Sequence, residues 1–303
     1  MTTTVGLDIG ATKILGVVVD DRGEIVAQVR EQTSPGAEGV LASAAAVVRR
    51  LGDISGLELT GPVGVGIPGL VDVATGTVAH AVNLDLAGDP FPLAERLAER
   101  LGLSVVVDND LNAATLGAHV LSGVDDLAYL SLGTGLAAGL VLDGRIRRGS
   151  SGAAGEIGHV PVDRSGVVCQ CGQRGCLETI ASGSAITTAW PVDGRPAAQA
   201  LFAAADLGTP AAVAARDAFL CGVADAIRML CLAVDPGTVI LGGGVAALGE
   251  PLRLAVQGAL RQQAAGSAFL ATLDLAARVR VVPADVPVAA LGAALLGTHL
   301  TGG

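Results

Sequence analysis

The sequence predicts an α/β protein made of two related lobes, and two observations support this prediction. A short strand, a glycine-marked turn and a second strand near the start of the chain return 123 positions later, where Gly10 corresponds to Gly133. Apolar strands also alternate with segments of helical periodicity, as at 104–107 and 112–121. A unit that recurs once in each half is typical of a duplicated fold, and 303 residues suffice for two domains.

The first half of the chain begins as a β-meander and continues with alternating elements. Its apolar runs predict strands at 5–9, 14–19, 24–29, 63–67 and 104–107, a hairpin at 70–79, and helices at 37–51, 93–101 and 112–121. Turn residues at 10–13 and 20–23 separate the first three strands, which we therefore expect to pair as antiparallel neighbours.

The second half opens with the repeated strand, turn and strand and then becomes mostly helical. The pattern predicts the repeated hairpin at 130–146, helices over roughly 182–233, a strand at 238–241, a helix from near Pro251, a strand at 279–282 and a helix at 289–300. The glycine run 242–244 between a strand and a helix is compatible with a nucleotide crevice, although such turns are also frequent without a ligand.

The two matched hairpin turns are candidates for phosphate binding. Each contains glycine and a threonine, Thr12 in the first copy and Thr134 in the second. Glycine lets the main chain approach a ligand closely, and backbone N–H groups in such turns bind anions. Either hairpin alone could be a plain turn, but the matched pair favours phosphate contact.

Asp108, Asn109 and Asp110 follow the apolar strand at 104–107 and precede a helix. Ligands of α/β folds collect at the carboxyl ends of strands, so these side chains are candidate site residues. The alternative is a helix N-cap, for which Asp and Asn are preferred. One residue is enough for a cap, so the run of three favours a functional role.

The segment from Gly152 to Glu178 contains a metal-ligand set. One imidazole and three thiols lie within eighteen positions, at His159, Cys169, Cys171 and Cys176. This set suits a closed tetrahedral zinc site, whereas the alternative is that the cysteines are small buried hydrophobes. Closing the loop on a metal would also bring Glu156 and Glu178 together, and carboxylates collected in this way can accept hydrogen bonds from a polyol.

Composition narrows the function classes. Hydrophobic residues make up 51% of the chain, charged residues 16% and aromatic residues 2%, which predicts a globular protein with a core of Ala, Val and Leu. The net charge of -10 argues against nucleic acid as a partner. Neither a signal peptide nor a membrane span is expected, and free thiols reserved for a metal fit a reducing cytoplasm.

Taken together, these segments resemble the ROK family of sugar kinases and sugar-responsive repressors. The motifs that carry the resemblance appear in the family's order as DIGATKILGVVVD, GIPGLVD, VDNDLNAATLG, LGTGLAAGLVLDG, GEIGHVPVD and CQCGQRGCLE. The resemblance implies a duplicated actin-like ATPase (ribonuclease H-like) fold, α/β in class, with two lobes and a cleft between them. We expect an N-terminal lobe at 1–111, completed by the helix at 289–303, and a larger lobe at 112–288 that holds the zinc loop.

The resemblance also implies a role for each matched position. Asp110 would be the general base that takes a proton from a sugar hydroxyl. The other sugar-binding residues would be Gly69, Asn83, Asn109, Glu156, His159 and Glu178. ATP, magnesium and the phosphates would be held near Asp8, Gly10, Thr12, Lys13, Gly133, Thr134, Gly135 and Gly243. The zinc would be structural, with His159, Cys169, Cys171 and Cys176 as its ligands.

Several positions depart from the family's usual pattern. Ala11 and Leu136-Ala137 replace glycines around the two phosphate turns, Asp85 follows Asn83-Leu84 where glycine is frequent, and His119 replaces a frequent acid. The changes at Ala11 and Leu136-Ala137 bear on nucleotide affinity and on the choice of phosphate donor. Asp85 bears on sugar specificity.

The resemblance leaves alternatives for the activity. The first expectation is an ATP-dependent kinase that converts glucose to glucose 6-phosphate. Alternative acceptors are N-acetylmannosamine, fructose, allose or a cyclitol, and polyphosphate could replace ATP as donor. A sugar-sensing regulator is a further alternative, but those members carry an N-terminal winged helix, for which the position of Asp8 leaves no room. A homodimer is expected from the family.

Overall fold

The computed structural model describes residues 3–86, 88–283 and 285–299. The chain forms two compact units, one made of Met1–Gly123 with Pro287–Gly303 and the other of Val124–Val286. The boundary expected between 111 and 112 would cut a helix after its second residue, and in the structure that helix belongs entirely to the first unit. The expected helix end at Leu300 lies outside the described residues.

The first unit is built on a five-stranded sheet. Its strands are β1 (Thr4–Ile9), β2 (Lys13–Val19), β3 (Ile25–Gln32), β4 (Val63–Ile67) and β7 (Val105–Asn109), and a separate hairpin consists of β5 (Leu70–Asp72) and β6 (Thr77–Ala79). The strand order is β3-β2-β1-β4-β7. The first three strands form the predicted antiparallel meander, whereas β4 and β7 run parallel to β1.

The helices of the first unit cover this sheet. They are α1 (Ala37–Ser55), α2 (Leu93–Leu101), α3 (Asp110–Ser122) and the C-terminal α10 (Val288–His299). Alternating apolar residues of β1 and β2 pack with the apolar stripe of α1, which buries Val40, Leu41, Val47 and Leu51 completely. The core therefore consists of aliphatic side chains, as the low aromatic content predicts.

Helix α10 lies with its backbone directly against the sheet and α3, because glycines leave no side chains between them. A Cβ atom on Gly6 of β1 would lie 1.9 Å from the carbonyl oxygen of Ala290. A Cβ atom on Gly292 of α10 would lie 1.8 Å from the carbonyl oxygen of Ala113 in α3. Packing at this distance fixes α3 to the sheet, and α3 begins at Asp110.

The second unit repeats the sheet of the first. Its strands are β8 (Leu127–Leu132), β9 (Leu136–Leu142), β10 (Arg145–Ile146), β11 (Thr238–Gly242) and β12 (Val279–Val281). The order is β10-β9-β8-β11-β12, so the third, second, first, fourth and fifth strands are neighbours in both sheets. The antiparallel and parallel pairings also recur. This confirms the duplication predicted from the two glycine turns.

In the described residues of the second unit, six α-helices accompany this sheet. They are α4 (Glu178–Ala181), α5 (Gly183–Ala189), α6 (Ala197–Asp206), α7 (Pro210–Val234), α8 (Glu250–Ala264) and α9 (Ala268–Leu273). Helix α7 begins with proline in its first turn and ends at Asp235 in a left-handed conformation, which are ordinary start and stop features. In the described part of the chain, each helix is too short or too polar to traverse a lipid bilayer.

The close packing of α10 gives a stability prediction. We expect Gly292→Ala to lower stability by about 1 to 3 kcal/mol, because the new methyl group meets a backbone oxygen that cannot move aside easily. The matched control is Gly258→Ala in α8, where a Cβ atom meets nothing within 4 Å. That change should increase the stability of the protein by about 0.5 to 1 kcal/mol, because alanine has a higher helix propensity than glycine. Thermal unfolding midpoints of both variants measure the difference, and equal midpoints would contradict the packing.

Candidate functional site

Strand β7 and helix α3 place the run Asp108–Asp110 at the carboxyl end of the first sheet. Asn109 is the N-cap of α3, since its Oδ1 accepts a hydrogen bond from the backbone N–H of Leu111 at 2.9 Å. Its Nδ2 donates to the carbonyl oxygen of Gly69 at 3.1 Å. Asp108 is buried and accepts a bond from Nδ2 of Asn112 at 2.9 Å. The capping explanation is therefore correct for Asn109. Asp110 is the first residue of α3 and half-buried, and its Oδ1 also accepts a hydrogen bond from the N–H of Leu111 at 2.9 Å.

Asp8 and Asp110 form an acidic pair in the first unit. Burial, and after it the negative charge of Asp110, raise the pKa of Asp8 to about 6, although the positive charge of Lys13 opposes the increase. A carboxylate whose negative charge is disfavoured in this way gains from a nearby cation. Carboxylate oxygens are also the ligands that Mg²⁺ prefers, so the residues present fit a magnesium ion with its phosphates.

The first glycine turn, a predicted phosphate site at 10–12, connects β1 to β2. The N–H of Gly10 donates to the carbonyl oxygen of Lys13 at 2.9 Å. Thr33, a buried residue just beyond β3, donates its hydroxyl to the carbonyl oxygen of Gly10 at 2.7 Å and its N–H to that of Thr12 at 3.2 Å. Sequence reasoning missed Thr33. Ala11 is not among the residues with positive φ, so alanine fits this turn without strain.

The second glycine turn, the other predicted phosphate site, connects β8 to β9 at 133–135. Its carbonyl oxygens are tied to α5, since the N–H of Gly183 donates to Gly133 at 2.7 Å and the N–H of Ser184 donates to Thr134 at 3.3 Å. Leu136 follows as the first residue of β9 and is only 3% exposed. Leu136-Ala137, which replaces the family's frequent glycines, therefore lies in strand β9, and Leu136 is part of the core of this unit.

Gly243 follows β11 beside the second turn. Its φ is 78°, and a Cβ atom on it would lie 2.6 Å from the backbone carbonyl carbon of Leu132, the last residue of β8. Glycine is required there for both reasons. The glycine run predicted at 242–244 thus brings the end of β11 close to the strand that leads into Gly133.

The four predicted zinc ligands come together. The ligand atoms of His159, Cys169, Cys171 and Cys176 all lie within 4.8 Å of one another. Nδ1 of His159 lies 3.8 Å from Sγ of Cys169, and the sulfurs of Cys171 and Cys176 are 3.6 Å apart. Ligands at ordinary zinc distances in a tetrahedron are about 3.3 to 3.8 Å apart. The donor set and its spacing therefore fit zinc.

The loop around these residues is held by its own backbone. The N–H of Cys169 donates to the carbonyl oxygen of Gln173 at 2.8 Å, and the N–H of Gly172 donates to that of Cys169 at 2.9 Å. Hydrogen bonds from the backbone N–H and the side-chain amide of Gln173 together lower the pKa of Cys171 to about 6. A thiolate is the metal-binding form of cysteine, so the loop favours the form that zinc requires at Cys171. Burial raises the pKa of Cys176, so a metal that binds there displaces a proton.

Glu156 and Glu178 lie on either side of His159. Nδ1 of His159, which faces the sulfurs, is 3.6 Å from Oε1 of Glu178, and that oxygen is 3.0 Å from Sγ of Cys169. Nε2 of His159 is 3.9 Å from Oε2 of Glu156. If a metal takes Nδ1, the proton is held on Nε2, which then points toward the second carboxylate. The predicted grouping of the two acids around the histidine is therefore present.

A cavity of about 420 Å³ in the second unit joins the turn to the zinc loop. Thr134 and Gly135 line it on one side, and Cys169 and Glu178 line it on another. Oε2 of Glu178 lies 2.9 Å from the position a Cβ atom would take on Gly135. The glycine at that position thus leaves space for the carboxylate.

The remaining predicted sugar residues lie in the first unit. Gly69 has a φ of 113° and contacts Asn109 through its carbonyl oxygen. Asn83 is exposed in a short 3₁₀ turn at 82–84, which ends at Asp85 with φ 59° and ψ 37°. This left-handed conformation explains the frequent glycine at the position, and aspartate is among the residues that tolerate it. His119 lies in the last turn of α3, where an imidazole suits the carbonyl end of the helix better than an acid.

The repeated sheet order and the two anchored glycine turns define a class of protein, the duplicated actin-like ATPase (ribonuclease H-like) fold. A family model described as the ROK family matches residues 4–297, and the chain belongs to this family. The chain is 34% identical over 273 residues to a glucokinase of Halalkalibacterium halodurans. The alignment covers 82% of this chain and 82% of the relative.

Two further relatives bear on ligands. The chain superimposes with a TM-score of 0.82 on a ROK family glucokinase of Streptomyces griseus in complex with glucose and AMPPNP, at 31% identity over 98% of this chain and 99% of that one. It is also 32% identical over 250 residues to an N-acetylmannosamine kinase of Yersinia pseudotuberculosis, which covers 79% of this chain and 82% of the relative.

The raised pKa of Asp8 gives a pH-dependent prediction. The folded state holds this proton more tightly than the unfolded state, so stability falls as the pH rises from about 4 to about 6. Asp8→Asn removes the charge and should be more stable than wild type above pH 6, by about 2 to 3 kcal/mol at most. The difference should vanish below pH 4. Thermal unfolding at pH 4 and pH 7.5 tests this, with exposed Asp53→Asn as the control, and a difference that persists at low pH would contradict it.

Metal analysis tests the zinc cluster. We expect purified protein to contain one zinc per chain and Cys176→Ser to lose most of it, because three ligands bind far more weakly than four. Cys221→Ser is the matched control, since this exposed cysteine of α7 lies outside the cluster. Elemental analysis by mass spectrometry gives the zinc content. Equal zinc in both variants would show that the cluster is not the binding site.

Proposed function

We propose that the protein is an ATP-dependent sugar kinase that converts glucose to glucose 6-phosphate. The observation that carries the proposal is the position of Asp110 at the carboxyl end of β7 beside Asp8, in a chain that is 34% identical to a glucokinase. Phosphoryl transfer needs positioning and charge stabilisation, with a carboxylate that orients the attacking hydroxyl. Asp110 supplies the carboxylate, and the N–H groups of the two glycine turns supply donors that can stabilise negative charge on the phosphates.

In this proposal Asp110 is the general base. Its carboxylate accepts the proton of the sugar hydroxyl while the hydroxyl oxygen forms a bond to the γ-phosphorus of ATP. The bond from that phosphorus to the bridging oxygen breaks, and ADP leaves with the electron pair. The N–H groups of the glycine turns hold the phosphates. Magnesium bound near Asp8 would neutralise charge on the phosphate oxygens.

The proposed sugar-binding residues are Gly69, Asn83, Asn109, Glu156, His159 and Glu178. Two carboxylates and an imidazole suit the donors and acceptors of a polyol. Zinc would fix the tautomer of His159, so that Nε2 presents its proton to a hydroxyl or to Glu156. The metal would thus act on sugar binding through one side chain.

The remaining parts of the proposal concern donor, compartment and assembly. ATP is favoured over polyphosphate because the Streptomyces griseus glucokinase was solved with AMPPNP. A reducing cytoplasm is favoured because three cysteines of the zinc cluster must stay reduced to bind metal. The expected homodimer stays a prediction, which light scattering after size-exclusion chromatography measures directly.

Glucose-dependent ADP release from purified protein with magnesium and zinc tests the activity. A panel of glucose, mannose, fructose, allose, N-acetylmannosamine and a cyclitol identifies the acceptor, and phosphorus NMR identifies the phosphorylated hydroxyl. A strong preference for N-acetylmannosamine would replace glucose by the acceptor of the Yersinia relative. Sugar binding without ADP release would favour a sugar sensor over a kinase.

The variant Asp110→Asn tests the base. It keeps the shape of the side chain but cannot accept a proton, so kcat should fall by about 100-fold or more. Its thermal midpoint should not fall, because removing the charge of Asp110 relieves Asp8. Asp53→Asn again serves as the control, with unchanged kcat expected. Glucose-dependent ADP release at the wild-type rate in Asp110→Asn would exclude Asp110 as the base.

A further inference from the structure

The first turn of α5 is bonded to the second phosphate turn. The first N–H groups of a helix have no acceptor within the helix and need partners elsewhere. In α5 two of them use consecutive carbonyl oxygens of the turn, Gly183 donating to Gly133 at 2.7 Å and Ser184 donating to Thr134 at 3.3 Å. These donors and acceptors are far apart in the sequence, so only the tertiary structure brings them together.

These bonds determine where the N–H groups of the turn point. A trans peptide is planar, and its N–H points opposite to its C=O. With the carbonyls of Gly133 and Thr134 directed at α5, the N–H groups of Thr134 and Gly135 face away from it. Within 3–86, 88–283 and 285–299 these two N–H groups have no hydrogen-bond acceptor. Successive unpaired N–H groups form an anion-binding concavity, so α5 directs the donors that a phosphate would use.

Ser182 holds the first turn of α5 in place. It lies between α4 and α5, is 2% exposed, and its Oγ accepts a hydrogen bond from the N–H of Ala185 at 3.1 Å as the N-cap. The next residue has no room for a side chain, since a Cβ atom on Gly183 would lie 2.6 Å from the carbonyl oxygen of Gly133. The cap and the glycine together keep the helix at hydrogen-bonding distance from the turn.

The first phosphate turn has an anchor of the same kind. The hydroxyl of Thr33 donates to the carbonyl oxygen of Gly10 at 2.7 Å, so the N–H of Ala11 points away from Thr33. Each glycine turn is therefore held through its carbonyl oxygens by a polar group from elsewhere in its own unit. Neither Ser182 nor Thr33 lies in a motif predicted to contact phosphate.

We infer that Ser182 and Thr33 are positioning residues for nucleotide binding, which direct the N–H groups of the two phosphate turns. This inference rests on the proposed function, because it takes the turns to be the phosphate site. Ser182 acts through α5 and the carbonyls of 133–134, and Thr33 acts through the carbonyl of Gly10. Loss of either anchor frees the turn to rotate its peptide groups, which weakens nucleotide binding and leaves the sugar residues in place.

The cap in α5 has a matched control in α9. Ser267 is the N-cap of that helix and accepts from the N–H of Leu270 at 3.2 Å. We expect Ser182→Ala and Ser267→Ala to lower the thermal midpoint by similar amounts, since each removes one cap. Only Ser182→Ala should raise the KM for ATP, by about fivefold to tenfold, with the KM for glucose changed less than about twofold. Ser182→Thr keeps the hydroxyl and should restore the wild-type KM.

Variants at two further positions make the test independent of the Ser182 hydroxyl. Gly183→Ala adds a methyl group against Gly133 and should raise the KM for ATP at least as much, which a direct contact between Ser182 and the nucleotide would not explain. In the other unit, Thr33→Val removes the hydroxyl but keeps the shape of the side chain, and it should also raise the KM for ATP. Thr33→Ser keeps the hydroxyl and should leave this KM unchanged. Should Ser182→Ala fail to fold, Thr33→Val and Thr33→Ser test the inference.

Calorimetric titration of AMPPNP into each variant separates this inference from the proposed function. If wild-type protein phosphorylates glucose but Ser182→Ala and Ser267→Ala bind AMPPNP equally, Ser182 has only a structural role and the inference is wrong. If wild-type protein lacks kinase activity, the proposed function fails. Weaker AMPPNP binding in Ser182→Ala and Thr33→Val alone would then still support positioning of the turns.

Discussion

The first unit depends on direct contact between backbones, which glycine permits. Gly6 in β1 and Gly292 in α10 leave no space for a Cβ atom, so the C-terminal helix lies on the sheet and against α3 at the shortest distance available. Interiors packed at such density transmit displacements instead of absorbing them. Because α3 starts with Asp110, the last helix of the chain fixes the position of the carboxylate on which the proposed chemistry depends.

That rigidity holds together groups that repel each other. Asp8 and Asp110 approach at the carboxyl end of the sheet, and burial raises the pKa of Asp8 to about 6. A site that favours a cation and its phosphates is, without them, a source of instability. The rest of the unit must therefore stabilise the acidic pair, and the aliphatic core around Leu7, Ile9 and Ile14 is completely buried beneath it.

The second unit connects a metal cluster with a phosphate turn through one short segment. Cys176 belongs to the cluster, Glu178 starts α4 two residues later and lies against Cys169 and Gly135, and Gly183 bonds to Gly133. The residues proposed to bind metal and polyol are thus neighbours, in one segment, of the residue that bonds to the proposed phosphate turn. Few covalent and hydrogen bonds therefore separate the cluster from the turn, so a change in the conformation of the cluster would reach the turn through this segment.

Features that depend on short windows of the chain could be predicted before the fold was known. Strand periodicity and turn residues gave the two meanders, and the zinc ligands lie within eighteen positions, so loop closure alone brings them together. The raised pKa of Asp8, the hydrogen bonds from Thr33 and the first turn of α5 to the two glycine turns, and the assignment of α3 to the first unit all required the tertiary structure. These features join residues distant in sequence, and local propensity contains no information about the distance or dielectric environment that packing creates between them.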